Sequence, residues 1–138
     1  MVDSSGRPVA ARRLRAALER ESGPMRFHAN DVSTSVAGDY YQVMFELQRD
    51  ADSPESPYLL IQRQFEMPDA GRCYIETHDE NYTGHFRLRR LEFSSSRILV
   101  EIGRPKNNQI EVTFALTPIE FEQASEVIAI IRGNKEAP

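Results

Sequence analysis

Apolar and polar residues alternate along most of the chain from residue 25 onward, a pattern typical of strands that bury one face. Met25, Phe27 and Ala29 alternate with polar neighbours, and the polar stretch 30–38 that follows predicts a turn. The alternation returns in the segments 41–47, 58–66, 72–78, 85–93, 97–103 and 109–116. Because short turns join most of these segments, the pattern predicts an antiparallel meander of six to seven strands.

The pattern changes to a helical period after residue 116. Thr117, Pro118 and Glu120 form a capping box with proline at the first helical position, and Gly133 is placed to end the helix. The apolar face of this helix consists of Phe121, Ala124, Val127, Ile128 and Ile131. A sheet with one apolar face needs a cover. The predicted fold class is therefore α+β, with a six- to seven-stranded antiparallel sheet covered on one face by a C-terminal helix.

The residues before the first strand form a basic leader, with five arginines and three acidic residues in positions 1–22. The composition of residues 9–21 is consistent with either a helix or a frayed tail, which Gly23 and Pro24 would end. The chain is thus divided into a leader of residues 1–23, a single α+β domain of residues 24–133 and a tail of residues 134–138.

The charge of the chain restricts its partners. The net charge is −4, and the part that follows the leader carries −6 by itself. An acidic body argues against nucleic acid as a partner, because nucleic-acid binders need a basic surface. It suits a basic protein partner.

Cysteine content and hydropathy indicate the compartment. The single cysteine, Cys73, forms no intrachain disulfide. The N-terminus has no secretory apolar stretch, and the longest apolar run, residues 127–131, is too short to cross a bilayer. We therefore expect a cytoplasmic protein that does not associate with membranes.

Arg63 lies on the same strand face as Ile61 and Phe65, which the alternation predicts to be buried. A five-residue turn over residues 67–71 places Arg63 opposite Ile75, whereas a slip of one residue would place it beside Glu76. An unpaired buried arginine is costly, so we expect its guanidinium to reach the sheet rim or a carboxylate. The carboxylates on the predicted helix are Glu120, Glu122 and Glu126. We interpret Arg63 as a structural residue, with the binding of an acidic ligand as the alternative.

The opposite face of the same strands is polar and aromatic. It carries Tyr58, Gln62, Gln64, Tyr74, Glu76 and His78, with Tyr40, Gln42 and Glu46 on the preceding strand. Antiparallel sheets commonly leave such a face in solvent. Tyrosines among amides and acids are also typical of a protein-binding surface. Both interpretations stay open, and the first six residues are the candidate partner-binding residues.

Candidate chemistry is sparse, because the chain contains none of the common nucleophile, phosphate-loop, dinucleotide or paired-cysteine motifs. Cys73 could be a nucleophile with His78 or His28 as its base, but the alternation places Cys73 in the core. His78, Asp79 and Glu80 are consecutive and diverge, whereas metal ligands converge. We expect no enzyme, no metal and no cofactor. The alternatives are a small enzyme with a pocket near Cys73 and His78, or a domain that self-associates as a homodimer through an edge strand.

The stretches S-P-Y-L-L-I-Q-R-Q-F-E at 56–66 and C-Y-I-E-T-H-D-E-N-Y-T-G at 73–84 resemble a family of bacterial immunity proteins from polymorphic toxin systems, the immunity family numbered ten. The stretches L-R-R-L-E-F-S-S-S-R-I-L-V-E-I and I-E-V-T-F-A-L extend the resemblance over residues 25–131. It implies a protein that neutralises a cognate secreted toxin by binding it. The family motif falls on Tyr58, Gln62, Arg63, Tyr74 and Glu76.

Overall fold

The computed structural model describes residues 24–47, 56–65 and 71–133, which form one sheet of eight strands and an α-helix. The strands are β1 (Met25–His28), β2 (Asp31–Ala37), β3 (Tyr40–Glu46), β4 (Tyr58–Gln64), β5 (Arg72–Thr77), β6 (Gly84–Phe93), β7 (Arg97–Ile102) and β8 (Gln109–Thr113), and the helix is α1 (Pro118–Ile131). The α+β class and the C-terminal helix are confirmed. The predictions for residues 1–23 and 134–138 lie outside the described part of the chain.

β2 is the additional strand, which brings the count to eight where the pattern predicts six to seven. Four of its seven residues are polar, namely Asp31, Ser33, Thr34 and Ser35, and this polarity predicts a turn instead. β2 nevertheless pairs with β3 along its whole length, from Asp31 opposite Glu46 to Ala37 opposite Tyr40. Gly38 supplies the positive φ, 62°, that the tight connection to β3 requires.

β1 and β2 are the two ends of the sheet in space, yet only Ala29 and Asn30 separate them in the chain. β1 runs parallel to β8, so the sheet is not a pure antiparallel meander. The Ala29 N–H donates to the Thr113 carbonyl at 2.8 Å, and the Asn30 N–H donates to the Glu46 carbonyl at 2.9 Å. The segment 25–37 therefore bonds to β8 with its first half and to β3 with its second, which draws the two ends of the sheet together.

The curled sheet encloses an apolar core. Its inner face is lined by Val43, Ile61, Ile75, Val100 and Val112, which are all fully buried. Phe45 of β3 stacks on Phe114, which follows β8, with ring centroids 5.3 Å apart. Phe93 of β6 stacks on Phe121 of α1 at the same distance. Rings from opposite parts of the sheet and from α1 thus meet in one core.

α1 begins and ends where the sequence predicts. The Thr117 side chain accepts from the Glu120 N–H, and the Glu120 carboxylate accepts from the Thr117 N–H at 3.0 Å. This bond from the backbone holds the pKa of Glu120 below its ordinary value. Gly133 follows the helix with a φ of 83°. No helix among the described residues is long and apolar enough to cross a membrane.

The predicted register of β4 and β5 is wrong by two residues. Ile61, not Arg63, lies opposite Ile75, and Gln62 lies opposite Tyr74. Both isoleucines have no exposed surface, so their mutual burial fixes the register rather than the symmetric turn that the prediction assumes. A shift of two residues keeps each side chain on its predicted face, because the side-chain period of a strand is two.

Candidate functional site

The outer face of β3, β4 and β5 brings most of the candidate residues together. Side chains from the three strands lie side by side in rows, and two rows cross the centre of this face. The two rows are Gln42–Gln62–Tyr74 and Met44–Leu60–Glu76. Each row places one residue of β4 between a residue of β3 and a residue of β5.

Glu76 holds two tyrosine hydroxyls at the centre of this face. The Tyr58 hydroxyl donates to one carboxylate oxygen at 2.8 Å, and the Tyr74 hydroxyl donates to the other at 2.7 Å. Tyr74 and Glu76 share a face because they are two residues apart on β5. Tyr58 reaches Glu76 diagonally, because Leu60 is the residue directly opposite Glu76. We call Tyr58, Tyr74 and Glu76 the tyrosine clasp.

The clasp extends to higher pH the range in which both phenols stay protonated. Burial, and then the hydrogen bond to Glu76, raise the pKa of Tyr58 to about 12 from its ordinary value of 10.0. For Tyr74 the hydrogen bond to Glu76 is the largest cause of a raised pKa, followed by burial and then by the charge of Glu76. Both hydroxyls therefore act as donors to a carboxylate at neutral pH.

Leu60 forms an apolar floor beside the clasp. It is only 8% exposed, although it points to the outer face. Met44 lies next to it on β3 and is half-buried. Neither residue is among the predicted contact residues. Leu60 is not, because the run from Tyr58 to Ile61 resembles a continuous core segment. The alternation within β4 does contain the signal, since it places Leu60 on the same face as Tyr58 and Gln62.

The three glutamines of this face lie at different distances from the clasp. Gln62 lies next to Tyr74 and is half-buried. Gln42 lies on its other side and accepts a hydrogen bond from the Tyr40 hydroxyl. Gln64 is exposed at the end of β4, opposite Tyr40. The structure thus places Gln62 in the centre of the candidate face and Gln64 at its margin.

His78 follows β5 and contacts residues of β4 and β1. The Tyr58 N–H donates to Nδ1 of His78 at 3.2 Å. The imidazole packs edge-on against Phe27, with ring centroids 5.9 Å apart and planes at 88°. Because Phe27 lies opposite the buried Val112, His78 contacts the inner side of the curled sheet as well as Tyr58.

Arg63 lies on the inner side of β4, half-buried. One guanidinium nitrogen donates to the backbone carbonyl of Ile131 at 2.8 Å. The guanidinium carbon lies 4.7 Å from the centre of the Phe65 ring. Arg63 thus contacts the C-terminal end of α1, where the last carbonyls of a helix lack partners within the helix and a positive charge is favoured.

Cys73 lies in the core and is 4% exposed, opposite Phe86 of β6. A cavity of about 150 Å³ lies elsewhere, between β2 and the start of α1, where Thr34, Leu116 and Glu120 line it. Among the described residues, no group of three or more histidine, cysteine or acidic side chains is placed to hold a metal ion.

The other half of the outer face carries a chain of alternating charges across β6, β7, β8 and β1. Its ion pairs are Arg90–Glu92 at 2.7 Å, Arg97–Glu92 at 3.3 Å, Arg97–Glu111 at 3.6 Å and Arg26–Glu111 at 3.4 Å. The hydrogen bond from Arg90 is the largest cause of a lowered pKa at Glu92. This charge ladder neutralises its own carboxylates, which distinguishes it from the clasp.

The chain matches no known family model, and no curated protein matches it. Membership of the immunity family therefore stays a prediction based on the stretches that resemble it.

Proposed function

We propose that this protein is an immunity-type binding protein, which neutralises a bacterial toxin in the cytoplasm by stoichiometric protein–protein binding. Its contact surface is the outer face of β3, β4 and β5 around the tyrosine clasp. The observation that carries the proposal is the clasp itself, in which two tyrosines are fixed on one carboxylate in the middle of a sheet face. The resemblance of the same strands to immunity proteins points in the same direction.

The composition of this face supports a protein partner. Tyrosine is enriched at protein interfaces because it combines a large contact area with few rotatable bonds. The hydroxyls of Tyr58 and Tyr74 are already held by Glu76. The rings therefore lose little freedom on binding, and that lowers the entropic cost of association.

The strands beneath the face support it as well. β4 lies between β3 and β5, and both of these strands have a further neighbour in the sheet. The backbone of the contact surface is therefore fixed by hydrogen bonds on both sides of each strand. A partner can dock without rearranging it.

The outer face of β3, β4 and β5 is smaller than the area that a stable protein interface buries on one partner. Two strands of seven residues and one of six cover roughly 300 Å² in projection, at about 3.3 Å per residue and 4.8 Å between strands. A stable interface buries about 800 Å² on each partner. The toxin must therefore also contact surface beyond these three strands.

Co-expression with the protein encoded by the adjacent gene tests the proposal. We expect the chain to restore growth to cells that are poisoned by that protein, and the purified pair to elute as a 1:1 complex in size-exclusion chromatography with light scattering. A toxic neighbour against which the chain neither protects nor forms a complex would refute the proposed function.

A double variant tests the assignment of the face. Gln62→Ala with Tyr74→Ala should weaken toxin binding by at least about tenfold, as expected for truncated anchors at an interface centre. The urea midpoint is measured beside it, because the variant also loses the hydrogen bond from Tyr74 to Glu76. The matched control is Glu101→Ala with Gln109→Ala, a cross-strand pair on β7 and β8 of the same sheet face. Equal affinity of the Gln62/Tyr74 variant and the wild type in calorimetry would contradict the assignment.

Self-association through an edge strand is the second candidate, and the exposure of β2 favours it. Among the described strands, β2 is at one end of the sheet, and Val36 on its exposed half is 54% accessible. Unpaired strand edges can join two copies into one continuous sheet. Light scattering that shows only monomers at high protein concentration would eliminate this candidate.

A further inference from the structure

The charge of Glu76 has no cationic partner within the described part of the chain. Glu92 and Glu111, on the same side of the sheet, each form ion pairs with two arginines. Glu76 instead accepts from two neutral phenols. The tyrosine clasp therefore keeps a half-buried negative charge that the fold itself does not neutralise.

The direction of the hydrogen bonds sets what the clasp offers to a partner. A phenol has a single O–H donor, and its oxygen also carries acceptor lone pairs. Tyr58 and Tyr74 both direct their O–H groups at Glu76. What remains available are the phenol lone pairs and the further lone pairs of the carboxylate, so the clasp presents acceptors and no donors.

An arginine side chain matches this arrangement best. The guanidinium is a planar cation with five N–H donors and no acceptor. It forms its strongest hydrogen bonds with carboxylates and also stacks against tyrosine rings. The half-buried Met44, in the same cross-strand row as Leu60 and Glu76, provides an apolar surface for the methylene stem. A lysine ammonium provides the charge but not the planar fork.

A second carboxylate favours the same kind of partner. Glu46 lies opposite Tyr58 on β3, on the outer face. It forms no ion pair with any described residue, so Tyr58 stands between two carboxylates that lack cations. Two carboxylates beside Tyr58 favour a basic group over a neutral amide, although Arg72 and Arg87 lie opposite each other one row beyond Tyr74 on the same face.

The geometry points to the tyrosine clasp as a seat for an arginine side chain of the protein partner. The inference rests on the proposed function for the identity of that partner, but it predicts a property of the isolated protein. The clasp binds a guanidinium group through Glu76 and the two phenol oxygens.

Titration with model peptides, followed by ¹H–¹⁵N NMR, tests the seat directly. The probe is a blocked tripeptide with arginine between two glycines. Its matched controls carry citrulline, which has the same shape without the charge, and lysine. We expect saturable shifts at the amides of Tyr58, Tyr74 and Glu76 with arginine, weaker shifts with lysine and none with citrulline. Shifts that are absent, equal for citrulline, or confined to the charge ladder would overturn the inference.

One variant separates the carboxylate from the surrounding surface. Glu76→Gln should weaken arginine-peptide binding by at least about tenfold, because a charged hydrogen-bond acceptor is lost. Glu101→Gln removes the same charge from β7, outside the clasp, and should leave the binding unchanged. Equal losses in the two variants would show a general charge effect and contradict the seat. The peptide comparison on the wild type decides the question if the Glu76 variant does not fold.

The two proposals can fail separately. If the arginine peptide binds the clasp but no toxin complex forms, the seat stands and the proposed function fails. If the toxin complex forms and Glu76→Gln leaves its affinity unchanged, the proposed function stands and the seat is not used by the toxin.

Discussion

At the scale of single residues, Glu76 determines the orientation of the two tyrosine side chains that it bonds. Its two oxygens fix the directions of the Tyr58 and Tyr74 hydroxyls. An alanine at position 76 would free both rings and leave two phenols without a common acceptor. The same side chain thus sets the orientation of the aromatic groups and the sign of the charge between them.

The titration of the two tyrosines reports on this arrangement. Tyr58 should ionise near pH 12, and Glu76→Gln should lower the pKa of both tyrosines, because a neutral amide opposes tyrosinate less than a carboxylate does. Burial remains in the variant, so Tyr58 should stay above its ordinary 10.0. The ultraviolet absorbance of tyrosinate measures both values.

The direction of the pH effect on stability follows from the raised pKa of Tyr58. The folded state favours the neutral phenol, so this contribution to stability is complete below pH 10.0 and is lost as the pH rises toward 12. The matched control for the tyrosine titration is Tyr40→Phe, because Tyr40 bonds to Gln42 and not to the clasp. An unchanged tyrosine titration in Glu76→Gln would contradict the clasp in solution.

The sequence predicts which face of the sheet each residue occupies, but not which residue lies opposite it on the next strand. The period of two places Gln62, Tyr74 and Glu76 on one face whatever the register. The partner of Glu76 depends on the register itself, and the predicted turn would place Gln62 opposite it. The observed register brings Leu60 there instead, and so puts Tyr58 within diagonal reach of the carboxylate.

At the scale of elements, Arg63 connects β4 to the end of α1. The prediction of an inward arginine with a partner near the rim agrees with its position, but the bond runs to the Ile131 carbonyl rather than to a helix carboxylate. Glu122 and Glu126 are exposed on α1. Strand pattern alone could not indicate this partner, because it depends on where the helix ends relative to β4.

Arg63→Ala should lower the free energy of unfolding by about 1–3 kcal/mol, the range for a hydrogen bond from a charged group. The variant loses the bond to Ile131 and the stacking on Phe65, whereas the outer face of β4 keeps its side chains. Urea denaturation measures the loss, and Arg89→Ala, at an exposed position of β6, is the control. If Arg63→Ala and the wild type unfold at the same urea concentration, the contact between Arg63 and the end of α1 is not stabilising.

β2 shows where the pattern of polarity misleads. Thr34 and Ser35 are exposed, so no continuous apolar row marks the strand. What makes it a strand is its pairing with β3, and Val32, opposite the buried Phe45, provides its main contact with the core. A strand that is specified by its neighbour more than by its own composition has only a weak sequence signal.

At the scale of the whole molecule, the segment 25–37 brings the two ends of the sheet together. His28 and Thr113 pair at this point, although they are 85 positions apart in the chain. Local patterns predict a meander because they contain only neighbours in sequence. The parallel contact between β1 and β8 depends on the accumulated twist of all the intervening strands, which no short stretch of sequence specifies.

Ala29 lies where the two ends of the sheet meet, and its substitution tests that closure. It is 2% exposed and belongs to the core, and its N–H bonds to β8 one residue before Asn30 bonds to β3. Ala29→Asp would bury a carboxylate at this junction, so it should lower the free energy of unfolding by at least about 3 kcal/mol. Ser35→Asp, on the exposed half of β2, should change it by no more than about 0.5 kcal/mol. Equal urea midpoints for the two variants would mean that residues 29–30 do not join the ends of the sheet in solution.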